Sequence, residues 1–117
     1  MNIGIDIIEI SRIARSITRP RFLEKVFSER ERELFERTGN KPETIAGRFC
    51  VKEAFAKALG TGVRGFELYE ISTLNDELGA PYIVATGRAA ELLGNRKVSV
   101  SISHSRDYAT AVVLLYD

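Results

Sequence analysis

The stretch GRFCVKEAFAKALG, from Gly47 to Gly60, lies at the centre of the pattern that organises this chain. Helix-forming residues run from about Pro42 to Leu59, and Gly60 then supplies a helix end. Glu53 and Lys57 are one helical turn apart, so the plain interpretation is a solvent-exposed ion pair of modest value. Arg48 and Lys52 form a second charged row beside them. Whether these side chains carry chemistry depends on what the rest of the chain places against the helix.

Strand-like and helical patterns alternate on both sides of this helix. Ser28 and Glu31 predict a capping box that opens a helix ending near Gly39, while Ser11 and Asn40 are predicted as further helix caps. The remaining predictions are a strand at residues 2–10, short helices at 12–19 and 21–27, a loop at 60–65, strands at 66–75 and 81–86, a short helix at 87–95, and a final hairpin at 98–116. The predicted fold class is α+β, a single domain over residues 1–117 in which a largely antiparallel sheet packs against one long helix and several short helices.

Composition excludes several classes of protein. Hydrophobic residues make up 44% of the 117 residues, so disorder is not expected, and a formal net charge of +1 disfavours a nucleic-acid binder. Cys50 and His104 are single representatives of their types, which rules out an intrachain disulfide and a zinc site built from Cys and His. Neither a secretory signal nor a membrane span is predicted, and we expect a cytoplasmic protein with Cys50 buried.

Asp6 is the first residue that suggests chemistry. An acid in the middle of an isoleucine-rich strand either lies on an exposed strand face or is bound by something. If Asp6 meets a second carboxylate, for which Glu53 is the candidate, the pair suits a hard cation such as Mg²⁺ with a phosphate group. The spacing of the two residues in the chain does not show that they meet.

His104 lies where a predicted strand enters a tight turn, with Ser103 and Ser105 on either side. Histidine at such a place is either a packed, hydrogen-bonded residue or a ligand-contacting group, and the two serines are able to bind a phosphate. No GxSxG elbow, P-loop or Rossmann fingerprint is present, so a serine hydrolase and a nucleotide-binding fold of these types are disfavoured.

Basic residues cluster near the N-terminus. Arg12, Arg15 and Arg19 follow one another at spacings of three and four, which predicts one face of a helix. This face is either an ordinary solvated surface or a docking surface for an acidic partner.

Three blocks in order resemble the short bacterial, holo-acyl-carrier-protein synthase type of 4′-phosphopantetheinyl transferase. They are GIDIIEISRI at residues 4–13, AGRFCVKEAFAKALGTG at 46–62 and SISHSRDYA at 101–109. The resemblance spans essentially the whole chain. Cys50 and Val51 depart from it, because the family often has alanine or similar residues at these positions.

The resemblance implies a reaction and a site. It implies that Asp6 and Glu53 bind Mg²⁺, which holds the pyrophosphate of coenzyme A while a serine of apo-acyl carrier protein attacks and 3′,5′-ADP leaves, in support of fatty acid biosynthesis. Lys57 would stabilise charge, and the general base would be either Glu53 or a metal-bound water. The coenzyme site is expected to include Arg48, Phe49, Lys52, Ser103, His104 and Ser105.

The resemblance also implies partners. Arg12 would contact the carrier protein, with Arg15 and Arg19 on the same predicted helical face, and the enzyme would be a homotrimer with sites at subunit interfaces. Two other classes remain open: a non-enzymatic binding module with a basic docking patch, and a metal-dependent hydrolase of nucleotide pyrophosphates.

Overall fold

The computed structural model describes residues 1–62 and 65–117 of the chain. Part of the loop predicted at residues 60–65 therefore lies outside the described residues. The helices and strands are β1 (Asn2–Glu9), α1 (Ile10–Ser16), α2 (Phe22–Val26), α3 (Glu29–Arg37), α4 (Pro42–Leu59), β2 (Ile71–Asn75), β3 (Pro81–Ala85), α5 (Gly87–Leu93), β4 (Lys97–His104) and β5 (Tyr108–Tyr116). None of the helices within the described ranges is both long and apolar enough to cross a membrane.

The α+β class is confirmed, with every described strand pair antiparallel. The described strands form two sheets, one of order β1–β5–β4 and one made of the β2–β3 hairpin. The strand predicted at residues 66–75 is shorter than expected because Leu68–Glu70 forms a 3₁₀ turn before β2. Glu70 holds this turn against α5, since its carboxylate accepts a hydrogen bond from Ala89 N at 3.0 Å.

Local sequence patterns predicted some helix ends correctly and others wrongly. The capping box of Ser28 and Glu31 is confirmed at the start of α3, and α4 has its predicted bounds, with Gly60 left-handed at φ 83°. The caps predicted at Ser11 and Asn40 are wrong, because α1 and α4 begin after Glu9 and Lys41. At α4, Pro at the first position supplies the helical φ without a side-chain cap.

Helix α4 packs across the inner face of the three-stranded sheet. That face carries small and branched residues of β5, namely Ala109, Ala111, Val113 and Leu115, all buried. Gly4 of β1 allows the closest approach, because a Cβ there would lie 2.7 Å from Ala58 N and closer still to Ala54 O. The strand and the helix therefore meet backbone to backbone.

The alternation of β1 places its isoleucines and its acid on opposite faces. Ile3, Ile5 and Ile7 point away from α4 and are 66%, 62% and 64% exposed. Gly4, Asp6 and Ile8 alternate with them and so face the helix. Asp6 is thus on the packed face of the strand rather than on an exposed one.

Candidate active site

Asp6 on β1 and Glu53 on α4 form a carboxylate pair with Lys57 beside it. The Lys57 ammonium donates to Asp6 Oδ1 at 3.2 Å and to Ile5 O at 2.9 Å. The Asp6 side chain is 18% exposed and that of Lys57 is 55% exposed. Burial raises the pKa of Glu53, and the Asp6 charge raises it further, while Lys57 and Arg12 lower it. Strand β1 therefore brings Asp6 to two residues of α4, Glu53 and Lys57, that lie far from it in the sequence.

The pair has the character of a small cation site rather than of a closed metal cage. No group of three or more Asp, Glu, His or Cys residues suited to a metal occurs within residues 1–62 and 65–117. Two partly buried carboxylates that repel each other fit a hard divalent cation, which takes oxygen ligands and commonly completes its shell with water and phosphate oxygens. The residues present thus fit Mg²⁺ bound together with a phosphorylated substrate.

Cys50 lies beneath this pair and is not a nucleophile. Its thiol is fully buried and donates to Ala109 O at 3.4 Å. Burial, followed by the charge of Asp6 and a hydrogen bond with it, raises the pKa of Cys50 to about 12. The thiol therefore stays protonated at neutral pH, and the expectation of a buried Cys50 is confirmed.

A second candidate surface is a cleft at the β4 edge of the sheet, between β4 and the β2–β3 hairpin. Its lining residues are Arg48, Asn75, Gly79, Pro81, Val100, Ser101, Ile102 and His104. Arg48 Nη2 donates to Asn75 Oδ1 at 2.6 Å. The buried Nε of Arg48 has no hydrogen-bond partner among the described residues. Burial lowers the pKa of Arg48, although the charge of Glu31 raises it. A guanidinium with spare donors that points into a cleft suits an anionic group such as a phosphate.

The carboxylate pair and the cleft lie at opposite edges of the three-stranded sheet. Asp6 on β1 and Ile102 on β4 both pair with Ala111 of the central strand, which puts them two strand spacings, or about 10 Å, apart. Helix α4 packs on the central strand between them, where Cys50 contacts Ala109. One chain therefore presents the two features on different sides of the same helix.

A basic pocket adjoins the carboxylate pair on the α1 side. It is lined by Arg12, Arg15, Ser16 and Arg19. The predicted helical face is only partly correct, because α1 ends at Ser16 and Arg19 lies in the turn beyond it. Arg19 returns to the pocket by donating to Ser16 Oγ at 3.0 Å, with its guanidinium 5.7 Å from the Phe22 ring. Three cations thus line one pocket, and Arg12 is near enough to Glu53 to lower its pKa.

Sequence comparison places this arrangement in a known family. The family model described as the 4′-phosphopantetheinyl transferase superfamily matches residues 2–113. The chain belongs to this superfamily. A holo-[acyl-carrier-protein] synthase of Fusobacterium nucleatum is 45% identical over an alignment of 119 positions, which covers 98% of each chain.

Solved structures of the superfamily resemble this chain over nearly its full length. One is a holo-(acyl-carrier-protein) synthase from Bacillus anthracis in complex with CoA (3',5'-ADP), with a TM-score of 0.84 and 36% identity over 97% of this chain and 94% of that one. Another is the Helicobacter pylori holo-[acyl-carrier-protein] synthase in complex with coenzyme A, with a TM-score of 0.84 and 34% identity over 97% and 98% of the two chains. The superfamily fold is therefore shared by nearly the whole chain.

The structure brings some of the predicted coenzyme residues together and separates others. Arg48 and His104 line one cleft, as a shared ligand site requires. Phe49 is partly buried, with its ring 6.5 Å from that of Phe22. Ser103 lies on the opposite face of β4 from His104, and Ser105 accepts a hydrogen bond from Tyr108 N at 3.3 Å within the hairpin turn. Phe49, Ser103 and Ser105 are not among the residues that line the cleft.

Lys52 requires a correction. It was expected in or near the coenzyme site, but its side chain is fully buried. Its ammonium donates to Glu31 Oε1 at 2.6 Å, to Leu68 O at 3.0 Å and to Ile71 O. Direct contact with a coenzyme is wrong for this residue, because its donors are used inside the protein.

Sequence reasoning missed Asn75 and Pro81 as lining residues of the cleft. Both come from the β2–β3 hairpin, whose position beside β4 depends on contacts between distant parts of the chain. The one local signal was the hairpin turn itself, which predicted the strands but not the strand beside which they lie.

Proposed function

We propose that this chain transfers the 4′-phosphopantetheine group of coenzyme A to a serine of apo-acyl carrier protein, in support of fatty acid biosynthesis. The single observation that carries the proposal is the meeting of Asp6, Glu53 and Lys57 in a chain that matches holo-[acyl-carrier-protein] synthases over 98% of its length. The serine oxygen would attack the phosphorus that bears pantetheine. The pyrophosphate bond would break, and 3′,5′-ADP would leave with the bond's electron pair.

Asp6 and Glu53 are the residues that would hold Mg²⁺. When bound, the cation would neutralise charge on the pyrophosphate of coenzyme A. Both carboxylates are oxygen donors held by the rigid contact of β1 with α4, which keeps their spacing fixed.

Lys57 and Glu53 would act on the reacting groups. The Lys57 side chain is more than half exposed, and its ammonium donates hydrogen bonds to Asp6 and Ile5 O. It would stabilise the charge that develops on the pyrophosphate. The acceptor of the serine proton would be either Glu53, which lies beside Asp6, or a water molecule at the same place.

The basic pocket would dock the carrier protein. Arg12, Arg15 and Arg19 line one pocket, and Arg12 is close enough to lower the pKa of Glu53. An acidic carrier surface bound there would bring its serine towards the reacting groups.

A homotrimer with sites at subunit interfaces is part of the proposal. One chain separates the carboxylate pair from the Arg48–His104 cleft, so a neighbouring subunit would complete each site. Ile3, Ile5 and Ile7, with the partly buried Val112 and Leu114 of β5, form an apolar outer face suited to such a contact. We also propose a cytoplasmic location, which is compatible with the buried free thiol of Cys50.

The test is incubation of the protein with coenzyme A, Mg²⁺ and apo-acyl carrier protein, followed by intact mass of the carrier. We expect one phosphopantetheine per carrier with the wild type and nearly none with Asp6→Ala or Glu53→Ala, or after chelation of the metal. Circular dichroism would confirm that the variants fold. Cleavage of coenzyme A without any gain of carrier mass would instead indicate a pyrophosphate hydrolase, and binding of carrier without either reaction would indicate a docking module.

A further inference from the structure

Lys52 and Glu31 form an ion pair inside the protein, with both side chains fully buried. The Lys52 ammonium has one carboxylate and two backbone carbonyls as partners, and it lies 5.1 Å from the centroid of the Phe27 ring. Burying a charge is costly unless partners surround it. These contacts therefore fix the orientation of α4 relative to α3 and to the segment that leads into β2.

Glu31 extends this contact to the β2–β3 hairpin. Its Oε2 accepts a hydrogen bond from Thr73 N at 3.0 Å, and its Oε1 accepts one from Ser28 N at 3.1 Å. The Ser72 hydroxyl donates to Ser28 Oγ at 2.6 Å. The first turn of α3, the middle of α4 and strand β2 are thus joined at one point.

Both sides of the Arg48–Asn75 contact are held by this pair. Arg48 lies one helical turn before Lys52 on α4, and Asn75 lies two residues after Thr73 on β2. Asn75 accepts from Arg48 Nη2 at 2.6 Å and donates through Nδ2 to Gly79 O at 2.9 Å. The pair therefore sets how far the hairpin wall of the cleft stands from α4.

We infer that Lys52 and Glu31 are positioning residues that hold the Arg48 side and the Asn75 side of the cleft at the spacing that coenzyme A needs. This inference rests on the proposed function, because it takes the cleft as a binding place of the donor. Neither residue touches the ligand, and both act through Arg48 and Asn75. Packed interiors deform little without loss of contact, so a change at the pair is transmitted to the wall.

The test replaces both partners together, in Glu31→Gln/Lys52→Met, so that neither charge is left buried alone. Gln keeps a capping-box side chain at this position, and Met keeps the aliphatic stem of the lysine. We expect the KM for coenzyme A to rise roughly tenfold, while kcat and the KM for the carrier stay within about twofold. Calorimetric titration with coenzyme A should show the same loss of affinity.

A second variant tests the route through Asn75. Asn75 is exposed, so Asn75→Ala should fold normally and should also raise the KM for coenzyme A. In the Asn75→Ala background, the double replacement of the pair should add little further loss, because both changes act on the same wall. Arg88→Met is the control, since it removes a cation from an exposed ion pair on α5 and should leave all constants unchanged.

A purely structural role for the pair predicts a different result. The double replacement would then lower the thermal midpoint and the apparent kcat but leave the KM for coenzyme A at the wild-type value, and this outcome would overturn the inference. An unchanged KM in Asn75→Ala would overturn it even if the double replacement does not fold. A wild-type chain that produces no modified carrier would instead overturn the proposed function.

Discussion

Replacing Gly4 by Ala tests whether the close contact of β1 with α4 sets the spacing of the carboxylate pair. The added Cβ would lie 2.7 Å from Ala58 N and 3.0 Å from Ala54 C. Both atoms belong to the backbone of α4 and are unable to rotate away. The strand and the helix must therefore separate, by a distance on the order of 1 Å, and Asp6 moves with the strand.

The expected magnitudes follow from this displacement. Overpacking costs about 1–3 kcal/mol, while replacing a strand glycine by alanine returns about 0.5–1 kcal/mol of backbone entropy. We expect a net loss of roughly 1–2 kcal/mol in the free energy of unfolding, which lowers the urea midpoint by about 0.5–1 M. A displacement of about 1 Å at the reacting groups also predicts a loss of about 100-fold in kcat/KM for the folded protein.

Urea unfolding and the transfer assay at saturating Mg²⁺ measure these two effects separately. Gly47→Ala is the matched control, because its Cβ would meet only the Ile102 side chain, with Cγ2 at 2.9 Å. A helix-interior Gly→Ala change gains up to about 1 kcal/mol, so Gly47→Ala should be neutral or stabilising once Ile102 shifts. Wild-type stability and turnover in Gly4→Ala would refute the argument from close approach. Lost stability with unchanged turnover would show that the contact serves packing alone.

Three further predictions concern single side chains. Lys57→Met should lower turnover by roughly ten- to a thousandfold, in the range for removal of one charge-stabilising donor, with little change in thermal midpoint; an effect on stability alone would leave Lys57 as an ordinary surface ion pair. Arg12→Glu should raise the KM for the carrier but not for coenzyme A, and the wild-type carrier KM should rise with salt more steeply than that of the variant; equal effects on both substrates would remove the docking role. Because the pKa of Cys50 is raised to about 12, its thiolate is scarce at pH 8, so Ellman's reagent should label it only after unfolding; rapid labelling of the native protein would contradict its burial.

Local signals in the sequence predicted the helices better than the sheets. The bounds of α4 and the capping box of Ser28 and Glu31 depend on residues within a few positions of one another, and both are confirmed. The separation of the β2–β3 hairpin from the main sheet depends on pairing between distant segments, which no local pattern encodes. The same limit explains why Asn75 was missed as part of the cleft.

The neighbouring residues Lys52 and Glu53 show what a motif leaves undetermined. Successive residues on a helix point about 100° apart. Lys52 can therefore face the interior while Glu53 faces Asp6. The sequence predicted that the Glu31 side chain is turned back towards Ser28, but it did not predict that Lys52 donates to the same carboxylate oxygen. Lys52 is the buried one because Glu31 and the carbonyl groups of Leu68 and Ile71, all distant in sequence, surround its ammonium.

Packing and chemistry use adjacent positions of the same two elements. On α4, Ala54 and Ala58 contact Gly4, and the residue that precedes each alanine, Glu53 or Lys57, lies beside Asp6. On β1, Gly4 and Asp6 share the inner face because they are two residues apart. A small residue at each packing position therefore brings the backbones together, and this approach carries the neighbouring charged groups to one place. It follows that enlarging Gly4, Ala54 or Ala58 should disturb the carboxylate pair without touching a charged group.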